Sequence, residues 1–273
     1  MTASLVWPQA LTLLGAGKMG AALLEGWLKA GMQGSAITII DPYISDHVTE
    51  LAIQHGCTVN PSSGADFQCV VVLAVKPQML GTIQLDSAID TQTLIISIMA
   101  GKTVGDVQKH LPAARSVVRA MPNTPASIGK GISGAFASSG VSTIHRVTAQ
   151  HLLEAVGEVV WLEKEADIDA VTAVSGSGPA YVFYMVECMA KAGEAAGLLP
   201  EVAMRLARLT VEGAGYLLGS EQNQSASELR INVTSPHGTT AAALNILMGN
   251  KELEVLMTRA ILAAKHRAGE LSG

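Results

Sequence analysis

The sequence predicts an α/β protein: a doubly wound parallel sheet in the N-terminal half, followed by a smaller all-helical domain. Three observations predict it. Short apolar runs alternate with helical patterns as far as Trp161, as a parallel sheet with crossover helices requires. The first of those runs opens into a glycine-rich turn, Gly15-Ala16-Gly17-Lys18-Met19-Gly20. From about residue 164 the β-like runs stop and helical periodicity takes over. A length of 273 residues suits two domains of unequal size, expected at 1–163 and 164–273.

The first strand is Leu11-Thr12-Leu13-Leu14, and a helical pattern follows the glycine turn through about Ala30. A second strand, Ile37-Thr38-Ile39-Ile40, ends in Asp41. This is the G-x-G-x-x-G fingerprint of a Rossmann-type dinucleotide-binding domain in its strand–turn–helix setting. The first glycine makes the turn, the second admits the pyrophosphate, and the third lets helix and strand pack closely. Asp41 would accept hydrogen bonds from the adenine ribose hydroxyls, whereas a 2′-phosphate needs cations nearby. No Lys or Arg occurs between Lys29 and Lys76, which by itself favours NAD over NADP. Alternatively, Asp41 is a turn residue before Pro42.

Val70-Val71-Val72-Leu73-Ala74-Val75 is continuously apolar, as a central parallel strand should be. It ends at Lys76-Pro77, on the edge where open α/β sheets bind ligands. Leu94-Ile95-Ile96-Ser97-Ile98 leads into Met99-Ala100-Gly101, and Val117-Val118-Arg119-Ala120 into the stiff turn Met121-Pro122-Asn123-Thr124-Pro125. That turn could present Asn123 to a nicotinamide carboxamide, or form a structural corner.

In the second half, Ser175-Gly176-Ser177-Gly178-Pro179 precedes a helix whose early turns, Ala180-Tyr181-Val182-Phe183-Tyr184-Met185-Val186, are apolar all round. Such a helix has to be covered on every side. A homodimer with interlocked helices would do so, as would the centre of a monomeric bundle. Pro200 opens another helix to about Leu218, Ser225 to Arg230 forms a short helical turn, and two helices at about 239–248 and 251–268 close the chain. Between them lies Thr234-Ser235-Pro236-His237-Gly238-Thr239-Thr240. This loop delivers unpaired N–H groups at a helix N-terminus, a seat for a carboxylate. Alternatively, Thr234 or Ser235 merely caps the helix.

Composition narrows the partners. The chain is 49% hydrophobic and only 15% charged, with 27 glycines, which fits closely packed helices on a buried sheet. A formal charge of −5 gives no electrostatic reason to bind nucleic acid or an anionic membrane. Anionic ligands must then be held by local backbone dipoles. The three cysteines, Cys57, Cys69 and Cys188, have no metal-ligand or redox-motif spacing. No metal is expected. The first ten residues lack the cations of a secretory signal, and the apolar stretch 180–190 is broken by Glu187 and too short to span a bilayer. A soluble cytoplasmic protein is expected.

Taken together, these motifs resemble pyrroline-5-carboxylate reductase over nearly the whole length. The resemblance is carried by Gly15–Met19, Ala74-Val75-Lys76-Pro77, Val118–Pro125, Asp169-Ala170-Val171-Thr172, Ser175–Tyr181 and Thr234–Thr240. It implies an N-terminal Rossmann-type domain with a C-terminal all-α dimerisation domain, and in some members larger rings of dimers. The implied reaction is hydride transfer from NADH or NADPH to the imine carbon of 1-pyrroline-5-carboxylate, giving L-proline. For the cofactor it implies Gly15, Ala16, Gly17, Lys18, Met19 and Gly20, together with Ala74, Val75, Lys76, Pro77, Ala100 and Gly101. Lys76 could reach a phosphate or ribose, or simply close its strand. For the substrate it implies carboxylate binding by the amides of Thr239 and Thr240, aided by Asn232, with the Thr240 hydroxyl on the ring nitrogen as the catalytic contact. Glu165 could favour the protonated imine or serve in a surface salt bridge.

Two departures from the family pattern stand out. His237-Gly238 replaces the usual pair of glycines, adding bulk and a titratable group, and Asp41 stands where many members carry hydroxyl or basic residues. Cofactor preference is open on sequence alone. A β-hydroxyacid dehydrogenase would need a lysine shortly after its glycine pair, but Pro179, Ala180, Tyr181 and Val182 follow Gly178 and the next lysine is Lys191. The alternatives kept are a reductase of a related cyclic imine and a non-catalytic dinucleotide sensor.

Overall fold

The computed structural model describes residues 7–61, 69–83, 85 and 89–272. The chain forms two compact units, Met1–Ser177 with Ala264–Gly273, and Gly178–Ala263.

In the first unit, β1 (Leu11–Leu14), α1 (Lys18–Lys29), β2 (Ile37–Ile40), α2 (Asp46–His55) and β3 (Thr58–Val59) are followed by β4 (Val70–Leu73) and β5 (Leu94–Ser97). Then come α3 (Val104–His110), β6 (Ser116–Met121), β7 (Gly131–Ala137), α4 (Thr143–Glu154), β8 (Gly157–Trp161) and α5 (Asp167–Val171). The sheet runs β3-β2-β1-β4-β5-β6-β7-β8. Strand order reverses between β1 and β4, the place where such sheets bind nucleotides.

β1, β4, β5 and β6 are buried at every position, as strands covered on both faces must be. Alternate side chains feed two clusters. Leu13, Leu23, Leu24, Trp27 and Ile39 lie in one, and Val71, Leu73, Ile95, Val107 and Val117 in the other. Fully burying a large apolar side chain contributes about 1.5–3 kcal/mol. Trp27 also donates from Nε1 to the Leu152 carbonyl at 2.8 Å, which ties α1 to α4.

The sheet is not parallel throughout. β7 pairs antiparallel with β6, and β8 parallel with β7. A Cβ on Gly134 would lie 2.7 Å from Val171, so a glycine that blurs the sequence signal of β7 is what allows α5 to pack on it. That packing carries the compact unit past the last strand to Ser177, and a π-helical turn, Thr172–Gly176, lies in this stretch. The end of α10 (Glu252–Ser272) belongs to the same unit from Ala264 on.

The second unit contains α6 (Gly178–Ala195), α7 (Pro200–Ser220), α8 (Ala226–Asn232), α9 (Thr239–Leu247) and the start of α10. Buried Ala190, Ala203 and Ala207 mark a small-residue seam between α6 and α7. A Cβ on Gly193 would stand 3.1 Å from that of Ala203. Larger apolar side chains point outward instead. Phe183 is 63% and Tyr184 64% exposed, with Val182, Met185, Leu206, Leu209 and Leu256 also uncovered. Among the described residues, no helix is long and apolar enough to cross a membrane.

Candidate active site

The glycine turn after β1 matches a pyrophosphate seat residue by residue. Gly15 has φ 91°, and a Cβ there would lie 2.7 Å from the Ala74 carbonyl. Only glycine takes that conformation and that approach without strain. Gly20 packs so closely that its Cβ would fall 2.1 Å from the Gly15 carbonyl. Gly17 is the N-cap of α1 with no side-chain hydrogen bond to the helix, and a Cβ on it would meet nothing within 4 Å. The first N–H groups, at Lys18 and Met19, are thus left without a side-chain cap at the positive end of a twelve-residue helix. The residues present fit a dinucleotide.

The neighbouring segments close around this turn. Ala74 donates its N–H to the Leu14 carbonyl at 2.7 Å, and Gly15 to the Ile40 carbonyl at 2.9 Å. The Ala74–Pro77 run thus begins against the glycine turn, and Lys76 is exposed as the N-cap of a short 3-10 turn, Pro77–Thr82. Ala100 and Gly101 follow β5 on the same edge of the sheet. Gly101 has φ 69°, and a Cβ on it would stand 2.6 Å from the Leu271 carbonyl. The last turn of α10 backs this loop.

Asp41 serves in the turn and stays available to a ligand. Its Oδ2 accepts the Ala16 N–H at 2.7 Å and its Oδ1 the Tyr43 N–H at 2.7 Å. Asn60, itself at φ 43°, clamps the Asp41 backbone. It accepts the Asp41 N–H at 3.0 Å and donates to the Asp41 carbonyl at 2.8 Å. A carboxylate has about four acceptor positions, so capacity for ribose hydroxyls is left.

Asn123 is a structural corner. Its Oδ1 accepts the Ile132 N–H at 2.9 Å and its Nδ2 donates to the Ser175 carbonyl at 3.2 Å, which fixes both ends of the amide. Glu165 is likewise engaged within the chain. Its Oε1 accepts the Val104 N–H at 2.7 Å and pairs with Arg119 Nη1 at 3.1 Å. Arg119 is 3% exposed and also reaches Ser272 Oγ at 3.4 Å and Asp169 at 3.8 Å. Nearby, burial opposes ionisation of Asp106, yet hydrogen bonds from Thr103 and the charges of Lys102 and Arg119 hold its carboxyl below the usual range.

In the helical unit, Gly238 is the N-cap of α9, which has no side-chain cap. Thr234 is turned away from that role, its Oγ1 donating to the Arg230 carbonyl at 2.6 Å. The turn before the helix is tight. Gly238 donates to the Ser235 carbonyl at 3.1 Å, and His237 sits at φ 60°. The first amides of α9, at Thr239 and Thr240, are thus left without a side-chain cap. Asn232 ends α8 with its Nδ2 donating to Gln224 Oε1 at 2.9 Å.

Residues 165–271 match a model described as pyrroline-5-carboxylate reductase dimerisation. A pyrroline-5-carboxylate reductase from Pseudomonas aeruginosa is 41% identical over 267 residues, covering 96% of each chain. The chain belongs to the pyrroline-5-carboxylate reductase family. A solved structure of a pyrroline-5-carboxylate reductase from Coxiella burnetii is similar at a TM-score of 0.88 and 34% identity, over 97% of this chain and 99% of that one. The pyrroline carboxylate reductase of Plasmodium falciparum, solved with NADP bound, is similar at a TM-score of 0.79 and 26% identity, over 97% of this chain and 98% of that one. Residues 10–101 match a model described as NADP oxidoreductase, coenzyme F420-dependent. Within this reductase family chain, the sequence reading gave no role to two residues that the structure brings forward, Asn60 and Arg119. The signal for Arg119 was present, a lone charge in the apolar run Val117-Val118-Arg119-Ala120.

Proposed function

We propose that this chain reduces 1-pyrroline-5-carboxylate to L-proline, the last step of proline biosynthesis, with NADH or NADPH as hydride donor. The carrying observation is that one chain holds both a glycine turn shaped for a dinucleotide and an uncapped helix N-terminus suited to a small carboxylate. A bound reduced nicotinamide supplies the hydride that adds to the imine carbon, while a proton completes the nitrogen.

A cyclic imine takes its proton from solvent near neutral pH, and the resulting iminium carbon is the better electrophile. The chain then has to position rather than protonate. The N–H groups of Thr239 and Thr240 hold the substrate carboxylate with help from Asn232, and the Thr240 hydroxyl bonds the ring nitrogen. Gly15 to Gly20 hold the pyrophosphate, Asp41 the adenine ribose, and Ala74–Pro77 with Ala100 and Gly101 line the rest of the dinucleotide. Glu165 contributes through Arg119 and the start of α3, since its Oε1 already serves both.

The working form is a homodimer in the cytoplasm, in which the outward apolar side chains of α6 and α7 are covered by a second copy. Phe183 and Tyr184, each more than half exposed in the single chain, anchor that contact. Larger rings of dimers extend this assembly.

The test is oxidation of NADH and of NADPH by the purified chain, with and without 1-pyrroline-5-carboxylate. Substrate-dependent oxidation is expected, with kcat reduced at least tenfold in Thr240→Val. Silence with both cofactors would leave a dinucleotide sensor as the better reading. Light scattering should give twice the chain mass, or an even multiple of it where dimers join into rings.

A further inference from the structure

We propose that Asp41 makes this chain selective for NADH by closing its adenosine ribose site to a 2′-phosphate. The inference rests on the dinucleotide reading above and specifies the cofactor for it.

Asp41 immediately follows β2, beside the strand-order reversal, and is only partly covered. Four hydrogen bonds fix it. Two go from the N–H groups of Ala16 and Tyr43 to its carboxylate, and two join its own backbone to Asn60. The bond to Ala16 matters most, because Ala16 lies inside the glycine turn. The carboxylate cannot swing away from an arriving phosphate without releasing the pyrophosphate loop.

Its remaining oxygen lone pairs accept from hydroxyls. A ribose with both hydroxyls free offers donors in return. A 2′-phosphate removes one donor and adds acceptor oxygens of like charge, and like charges a few ångströms apart repel. Nothing local offsets that repulsion. Among the described residues no cationic side chain pairs with Asp41, and the sequence has no Lys or Arg between Lys29 and Lys76. Lys18 opens α1 at the pyrophosphate seat, where both cofactors make the same demand.

The experiment is calorimetric titration of the full-length protein with NAD+ and with NADP+, without substrate. NAD+ is expected to bind at least tenfold more tightly. In Asp41→Asn, which keeps the shape and one acceptor, NADP+ should gain about tenfold while NAD+ loses a few-fold. Should that variant fail to fold, the wild-type protein still decides. Its discrimination should narrow between low and high salt, because screening weakens the repulsion. Equal or tighter wild-type binding of NADP+, an unchanged ratio in folded Asp41→Asn, or discrimination that does not narrow with salt would each overturn the proposal. Binding of neither dinucleotide would overturn it together with the cofactor reading beneath it.

Discussion

Ser97 and Arg119 lie opposite one another in the β5–β6 register, and each buries an atom, Oγ and Nε respectively, without a hydrogen-bond partner among the described residues. Both fall on the face of the sheet that carries Ile95 and Val117, because side chains alternate along a strand. Both terminal nitrogens of the guanidinium are engaged. It gathers Glu165, which holds the first turn of α3, together with Asp169 of α5 and Ser272 at the end of α10. A single buried cation thus joins three elements behind the Ala100–Gly101 loop.

This relationship predicts opposite outcomes at the two positions. Arg119→Met should destabilise the protein by about 3 kcal/mol, because two partly covered carboxylates lose their counter-charge. Ser97→Ala should leave stability within about 1 kcal/mol of wild type or raise it, since an unpaired buried hydroxyl contributes no bond to lose. Urea unfolding at one fixed protein concentration measures both, because self-association couples stability to concentration. A strongly destabilised Ser97→Ala would show that the hydroxyl has a partner in solution.

Glu165 separates two roles in a single experiment. If its carboxylate works through Arg119 and Val104, Glu165→Gln should weaken the ion pair and lower the melting temperature by several degrees. The KM for 1-pyrroline-5-carboxylate should then move less than threefold. A large rise in KM with unchanged melting would return Glu165 to the substrate. Paired melting curves and steady-state kinetics on the same preparation decide between them.

What the sequence disclosed follows the range of the interaction. The conformations of Gly15, Gly17 and Gly20 belong to one turn, so a short window showed the turn, although the close approach of the Ala74 carbonyl to Gly15 comes from distant chain. β7 escaped because Gly131 and Gly134 interrupt its apolar pattern. Both are dictated by distant chain, since a Cβ would lie 2.9 Å from the Val156 carbonyl at the first and 2.7 Å from Val171 at the second. Arg119 meets partners 46 and 153 residues away, and Asn123 bonds one 52 residues away. No local pattern encodes such pairings. Asp41 stands between these cases: its place at a strand end was legible, whereas its bond to Ala16, 25 residues earlier, belongs to the tertiary fold.

His237 occupies the left-handed region, at φ 60°, directly before the N-cap of α9. A side chain there costs about 1 kcal/mol relative to glycine, which gives a physical reason for the glycine usual in the family. His237→Gly should therefore stabilise the native turn, partly offset by the extra freedom glycine gives the unfolded chain. The expected net gain is up to about 1 kcal/mol, or roughly 2–4 °C in melting temperature, with reductase activity retained. Loss of activity in a folded His237→Gly protein would show that the imidazole contacts the substrate.

His145 predicts an acid-side weakness. Burial pushes its imidazole below the usual histidine range. Its Nδ1 lies 2.7 Å from Ser116 Oγ, and its place in the first turn of α4 sets it against the positive end of that helix. The folded protein therefore binds this proton less readily than the unfolded chain does. Above the unfolded value of about 6.5 both states are neutral and the residue adds no pH dependence. As pH falls through that value the unfolded chain takes up the proton first, so stability declines until pH passes below the folded value. Wild type should thus lose more melting temperature between pH 7 and 5.5 than His145→Gln does. Comparing the two proteins isolates this residue from the other six histidines. Parallel profiles would mean that the imidazole titrates alike in both states and that its burial does not persist in solution.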